Sequence, residues 1–532
     1  MRNERKSFDL QSPAEFLTGL WRRVRREWIV CFASSVLVGL LTHFYKFVNW
    51  LPNWDSLVFR YSDQNMTELG RWFLFAACLP SSFYDLPWVC SVLCLVYVAA
   101  AAVCLCYIFR FKSVVSAALL GGIATTFPTI TSTLTYNYVA DGYALALVFS
   151  TASAWMINSR LRHRYVMGIL LLTMAMGIYQ PYLGVTMMIL VLMLIDGIVF
   201  QKEDVKASLI RAGRFAFAGV CACALYVAIL KVALVVGQKE LSEYIVGESP
   251  KFPYDMWLYP ACVFWRCVKG LIRFFMDFRL GFSLHPIVGV AMFAMTAWFT
   301  FRAATHDNVF RHPLRTTLLA LYVLAIPVCA SPLYILSPYH DYHNLMRAGF
   351  LVIPVFFLTF YERRVFRTPR YENLKSWIIL VVGLVMIYNY ALVANISYHK
   401  LQMTFLDSFG EVVRIADRIE QTPGAEKCRK LAVLGVKPDS KAWSANVLLD
   451  VTGVTDGSLL RPDDYTVNQS VITTTINDYA GKNYVFATHD ERLRLAKDPR
   501  VLRMPFWPAP GSIAVVDKYL VLRLSPGAGL YD

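Results

Sequence analysis

The sequence predicts a polytopic α-helical membrane protein with about eleven crossings and a small C-terminal extracytoplasmic α/β domain. Three observations carry this. Of the 532 residues 57% are hydrophobic and only 17% charged, where a soluble domain carries about a quarter. Apolar runs near the roughly 20 residues that cross a membrane recur along the first three quarters of the chain. After about residue 397 the composition turns polar.

Residues 1–27 form a basic leader, read as cytoplasmic and not as a cleaved signal, because its basic segment is long and the run after it is of full membrane length. Residues 28–397 form the membrane domain. The first crossing is Trp28 to Val48, followed by an outer loop at 49–72. Arg71 to Pro80 is apolar but too short to span. Leu86 to Phe109 returns and ends at Arg110 and Lys112. Val114 to Ile130 and Val139 to Ile157 make a pair joined outside by TSTLTYNY. Tyr165 to Ile178 and Tyr182 to Phe200 turn at Tyr179-Gln180-Pro181. Phe215 to Val236 leads to a long outer segment, 237–282, whose KGLIRFFMDFRLGF stretch reads as an amphipathic helix on the membrane surface. Four further runs follow, at 286–301, 314–330, 348–361 and 376–396. Residues 398–532 are expected to fold as a periplasmic α/β domain, with an amphipathic helix leaving the membrane at Tyr398 to Gln421, a buried strand at LAVLGV, a short helix at DERLRLAKDP and a terminal hairpin at SIAVVDKYLVLRL. Its VTGVTDG turn lacks the lysine of a phosphate loop and the spacing of a dinucleotide motif.

The net charge of +15 is not a nucleic-acid footprint. Basic clusters at 22–26, 160–164, 202–214, 302–315 and 363–375 sit at the ends of apolar runs on the leader's side, as the positive-inside rule places them. The twelve cysteines lie mainly inside apolar runs with no CxxC pair, so they read as small hydrophobes. No cofactor is implied and no motif indicates a metal.

The polar groups suspected of chemistry share the other side. The outer loop NWLPNWDSLVFRYSDQNMTELGRW carries Asp55, Asp63, Glu68 and Arg71; Asn137 and Asp141 follow, then Tyr179 and Gln180, then His340, Asp341, His343 and Arg347. Outside the cell membrane, activated sugars on nucleotides are absent, so a polyprenyl-phosphate-linked sugar is the available donor. Transfer from it needs a carboxylate that takes the acceptor's proton and cations that hold the leaving phosphate. Asp55 is the first candidate base and Glu68 the second carboxylate. Arg71, Arg347 and His340 are candidates for the phosphate. Trp54, Asn137, Asp141, Tyr179 and Gln180 are candidates for sugar or acceptor.

Plainer readings stand beside these. Asp55 also reads as a solvated loop acid, and Glu68 with Arg71 as an i,i+3 helix pair. Trp50 and Trp54 offer faces for sugar stacking but also read as interfacial anchors, Asp141 as a helix cap, and Tyr179-Gln180 as backbone partners at a proline break. His340, Asp341 and His343 have only loose metal-ligand spacing.

The loop NWDSL…ELGRW, the YNYVADGYALAL segment, the GIYQPYLG turn and the helix start at Arg347 together resemble the bacterial O-antigen glucosyltransferases of the serotype-converting Gtr type. The resemblance implies a GT-C-like membrane fold and transfer of glucose from undecaprenyl-phosphate-glucose to O-antigen or a related glycan in the periplasm, in the inner membrane with the N-terminus cytoplasmic. It places the base in the first outer loop, at Asp55. The paired acids often seen there are not adjacent here, since Ser56 follows Asp55. A flippase or transporter, or a polymerase, of lipid-linked saccharides is the competing class. A transporter would want intramembrane charge reachable from both sides. Membrane lipids and a glycan acceptor are the expected partners, and nucleic acid is not.

Overall fold

The computed structural model describes residues 12–53, 55–56, 59, 62–242, 258–276, 284–336, 342–435 and 465–525. Among them, nine helices are long and apolar enough to cross a membrane. The other two expected crossings fall on shorter apolar helices, Arg164–Ile178 and Ala348–Thr359.

Close helix packing here rests on small residues, since lipid gives apolar side chains little reason to leave it. Helix Arg26–Val48 packs along Val114–Thr126. A methyl group on Gly121 would stand 2.3 Å from the Cys31 carbonyl oxygen and 2.2 Å from the Ser34 hydroxyl, so glycine sets that separation. His43 ties three helices together: its Nδ1 pairs with the Tyr398 hydroxyl at 2.8 Å and its Nε2 with the Thr125 carbonyl at 3.0 Å.

One expected loop is a helix. Residues Pro128–Thr135 are helical and buried throughout, and the connection to helix Asn137–Asn158 narrows to Tyr136, so most of TSTLTYNY is helix and not loop. Pro128 explains the break that the hydropathy does show: it has no N–H to donate and pushes Phe127 to φ −54°, ψ 135°. The helix resumes at once beyond it and carries its hydroxyl residues inward. The reading of 237–282 also changes. Helix Tyr259–Met276 begins well before the expected amphipathic stretch, and Phe274 and Phe275 pack against Phe127 and Phe350. Its apolar face therefore covers protein, while Trp265 and Ile272 remain exposed.

The last membrane helix does not stop at residue 396. Pro369–Glu420 is one helix of 52 residues, roughly 78 Å long at 1.5 Å per residue. The boundary expected at 397/398 falls inside it. Its far end, at Phe405, Val412, Ile415 and Ile419, packs on a four-stranded sheet of order β2-β1-β4-β3. The strands are β1 (Lys430–Leu434), β2 (Val485–Phe486), β3 (Ile513–Val516) and β4 (Tyr519–Arg523). β1 runs parallel to β2 and β4, and β3–β4 is an antiparallel hairpin. Leu431 and Val433 face the long helix, while Ala432 and Leu434 face Leu495 and Val501 on the other side. A strand covered on both faces reads as an unbroken apolar run, which is why LAVL was recognisable. VTGVTDG lies outside the described residues.

Candidate active site

The site is built around the N-terminal turns of helix Asn137–Asn158. Before it, residues 66–71 make a tight reversal. Met66 and Arg71 form a bridge, the Arg71 N–H donates to the Met66 carbonyl at 3.1 Å, and a single 3-10 turn, Thr67–Leu69, lies between. Gly70 closes it at φ +76°, a conformation that costs other residues about 1–2 kcal/mol. Gln180 holds this turn from outside: its Nε2 donates to the Leu69 carbonyl at 2.9 Å and to the Tyr226 hydroxyl at 3.1 Å. Tyr226 in turn donates to the Gly70 carbonyl at 2.9 Å.

The reversal aims Arg71 inward. Its Nη1 donates to the Tyr143 hydroxyl at 3.0 Å, and the guanidinium lies 4.7 Å from the centre of the Tyr179 ring. Tyr143 and Tyr179 are stacked at 4.4 Å with planes 5° apart. Arg71 Nε is buried with no hydrogen-bond partner among the described residues. Burial opposes the charge, but the oxygens of Tyr143, Tyr179 and Tyr138 and the Asp55 carboxylate act the other way and hold Arg71 above the usual arginine range. Asp55 is half-buried and close enough to act electrostatically on Arg71, Tyr138 and Tyr143. The Asp55 carboxylate thus lies within electrostatic range of a guanidinium set in a ring-lined wall.

A second polar group lies on another face of the same helix. Asp85 accepts from the Asn137 side-chain amide at 2.5 Å and from the Trp50 indole at 3.0 Å. Ser91 donates to the Asn137 side-chain Oδ1 at 3.0 Å. The buried Lys46 ammonium donates to the Leu51 carbonyl at 3.3 Å and feels the Asp85 charge. Trp50 also packs edge-on to Phe405 of the long helix at 5.6 Å. It is fastened at both ends and is a joint between loop and C-terminal region, not an open sugar-stacking face.

Asp141, one turn beyond Asn137, is fully buried, and neither carboxylate oxygen has a hydrogen-bond partner among the described residues. It sits near Cys78, Cys90 and Cys94. It is therefore not a helix cap. Glu68 does not pair with Arg71: it forms an ion pair with Lys239 at 2.8 Å, and its carbonyl accepts from the Ser242 N–H at 3.0 Å. The 3-10 turn and the αL glycine between the two residues remove the α-helical spacing that an i,i+3 pair needs. Arg347 donates to the Tyr342 carbonyl at 3.0 Å. The short segments around it pack against Pro128–Thr135 and Gln180–Tyr182, which brings it to the Tyr179 end of the bundle. Trp54, His340 and Asp341 lie outside the described residues.

Among the candidates, then, Asp55, Arg71, Tyr179 and Gln180 come together, and Asn137 joins through its helix. Sequence reasoning missed Tyr143 and Asp85. The signal for Asp85 was present, since it stands one residue before the Leu86-Pro87 helix start just as Asp55 stands after a helix end. Tyr143 lay inside an apolar run with nothing to set it apart.

The family profile described as Glucosyl transferase GtrII matches residues 44–361, more than half of the chain, and it spans every element of this site. The chain belongs to the GtrII glucosyl transferase family. No curated relative and no solved structure matches it. With its apolar helices, membership makes this a membrane glucosyltransferase.

Proposed function

We propose that this glucosyltransferase moves a glucosyl or related hexosyl group from a polyprenyl-phosphate-linked donor onto O-antigen or a related surface glycan. In this reading the reaction runs at the periplasmic face of the bacterial inner membrane, with Asp55 as general base. The observation that carries it is the Arg71 guanidinium, fixed by Tyr143 and Tyr179 with Asp55 beside it.

Breaking the bond between the sugar carbon and the phosphate oxygen leaves its electron pair, and hence new negative charge, on the phosphate. A preorganised guanidinium that keeps its charge in a half-buried wall stabilises that charge as it develops. A guanidinium fork matches the oxygens of a phosphate, and Arg347 and His340 are further candidates for that group. The acceptor hydroxyl oxygen bonds to the sugar carbon as its proton passes to Asp55. One base and one departing phosphate give direct displacement with inversion.

Asp85 accepts two hydrogen bonds, Glu68 is held by Lys239, and Asp141 is fully buried. Glu68 ranks second because it lies in the same loop, and Trp54, Asn137, Asp141, Tyr179 and Gln180 remain candidates for sugar and acceptor contacts. The test is release of polyprenyl phosphate from polyprenyl-phosphate-glucose by purified protein when acceptor glycan is added. Release that depends on acceptor supports the reading; lipid translocation across proteoliposomes without sugar transfer replaces it with a flippase.

A further inference from the structure

Helices Pro87–Ile108 and Asn137–Asn158 begin at the candidate site and end, roughly 33 Å away, at a basic cavity of about 560 Å³. Six arginines line it, Arg110, Arg160, Arg164, Arg211, Arg214 and Arg363, against two carboxylates. Both carboxylates are taken: Asp196 pairs with Arg363, and Glu203 with Arg211 at 3.0 Å. Arg110, Arg160 and Arg214 are exposed and form no ion pair among the described residues. A neighbouring cavity of about 600 Å³ shares Arg110, Arg160 and Asn158 with the first and adds Arg25 and Lys112, so the basic trench continues rather than ending in acid.

Helix C-termini explain part of this charge but not its extent. Each carries about half a negative charge, and three helices end here, at Ile108, Asn158 and Val199. That is about one and a half charges, whereas six arginines against two carboxylates leave an excess of four. A multivalent anion relieves the remaining repulsion, and guanidinium forks match phosphate oxygens.

The walls say what kind of anion. Helix Val205–Val236 contributes Ile210 and Phe215 to the cavity, while Leu209 and Ile210 are 53% and 45% exposed on the same turn. Guanidinium groups thus adjoin an apolar surface that continues along the outside of a membrane-length helix. A soluble phosphate uses only the first feature; a lipid phosphate uses both.

We propose that this trench binds the phosphate headgroup of an anionic phospholipid, with its acyl chains along the outer face of Val205–Val236. It is separate from the donor site at Arg71, and it stands whether or not Asp55 is the base.

The experiment uses full-length protein, delipidated in a neutral detergent, with native mass spectrometry or equilibrium binding as the readout. The probes are phosphatidylglycerol, phosphatidylcholine and inorganic phosphate. Phosphatidylglycerol is expected to saturate at least about tenfold below phosphatidylcholine, and to weaken with salt. Arg110→Gln/Arg160→Gln/Arg214→Gln is expected to lose on the order of 100-fold, at about fivefold per arginine. Arg370→Gln, exposed and outside the trench, is expected to leave binding unchanged. If the triple variant is not monodisperse, Arg160→Gln and Arg214→Gln singly each still predict the fivefold step. Equal binding of the two lipids, or wild-type binding by the variants, overturns the proposal. Full displacement of the lipid by millimolar inorganic phosphate assigns the trench to a free anion and overturns it as well.

Discussion

Arg71 donates to the Tyr143 hydroxyl at 3.0 Å while its guanidinium lies 4.7 Å from the Tyr179 ring centre, and those two rings are themselves stacked. Two tyrosines from two separated segments thus fix one cation in one orientation. A flexible surface arginine has no such constraint. The arrangement is costly in side-chain freedom, and in the proposed reaction it serves to hold the donor phosphate.

Arg71→Lys keeps the charge but cannot both bond Tyr143 and lie flat over Tyr179. Turnover is expected to fall by about 10²–10³, the range for removing one preorganised stabilising group, and Arg71→Ala to fall at least as far. Acceptor-dependent release of polyprenyl phosphate measures both. Near-wild-type turnover in Arg71→Lys would leave Arg71 as a point charge only.

Gly70→Ala meets two obstacles at once. Its φ of +76° is strained for alanine, and the added methyl would stand 2.5 Å from both the Gln180 amide nitrogen and the Tyr226 hydroxyl. The turn that aims Arg71 has to open, so activity is expected to drop at least about tenfold, with thermal stability lowered by about 1–3 kcal/mol. Thermal unfolding in detergent alongside turnover checks this.

Asp85→Asn turns one of the carboxylate's acceptor oxygens into a donor that faces another donor, either the Trp50 indole or the Asn137 amide. One buried donor is left unpaired, at about 1–3 kcal/mol. The expected signature is a lower unfolding temperature with turnover reduced less than in any Asp55 variant. A larger loss of turnover, with stability intact, would make Asp85 the base.

In the C-terminal sheet region, the Lys430 ammonium, the Thr488 N–H and the Tyr519 hydroxyl pull the Glu491 carboxyl from its ordinary 4.5 down to about 2. A carboxylate whose folded pKa is depressed stabilises the fold fully above its unfolded value and loses that effect as pH falls through the folded one. The unfolding-temperature difference between wild type and Glu491→Gln is therefore expected at pH 7. It should shrink between about pH 4.5 and 2.

The membrane helices were legible because hydropathy over some 20 residues is a strong signal. The expected Phe215–Val236 run lies inside helix Val205–Val236. Three of the four sheet strands were legible from short apolar runs, and the β3–β4 hairpin falls inside SIAVVDKYLVLRL, whereas the two-residue β2 gave no such signal. What hydropathy misjudged was the buried polar helix Pro128–Thr135, because threonine-rich sequence reads as solvated until neighbouring helices enclose it. The loop residues Asp55 and Arg71 stood out by their position at helix ends. Their geometry did not: Arg71's partners are 72 and 108 positions away in sequence, and no local spacing reports contacts of that range. The pairing of Glu68 with Lys239 instead of Arg71 was hidden for the same reason.

The central claim is that Asp55 takes the acceptor's proton beside an Arg71-held phosphate. The most direct measurement is single-turnover glucosyl transfer by Asp55→Asn, with Glu68→Gln in parallel and donor-lipid binding measured for both. Asp55→Asn is expected to lower the transfer rate by about 10²–10⁴ while donor affinity stays within a fewfold of wild type. Glu68→Gln removes a half-exposed ion pair of the kind worth about 0–1 kcal/mol and is expected to cost about fivefold or less. Wild-type transfer by Asp55→Asn, with the large loss appearing in Glu68→Gln, would contradict the account and move the base to Glu68.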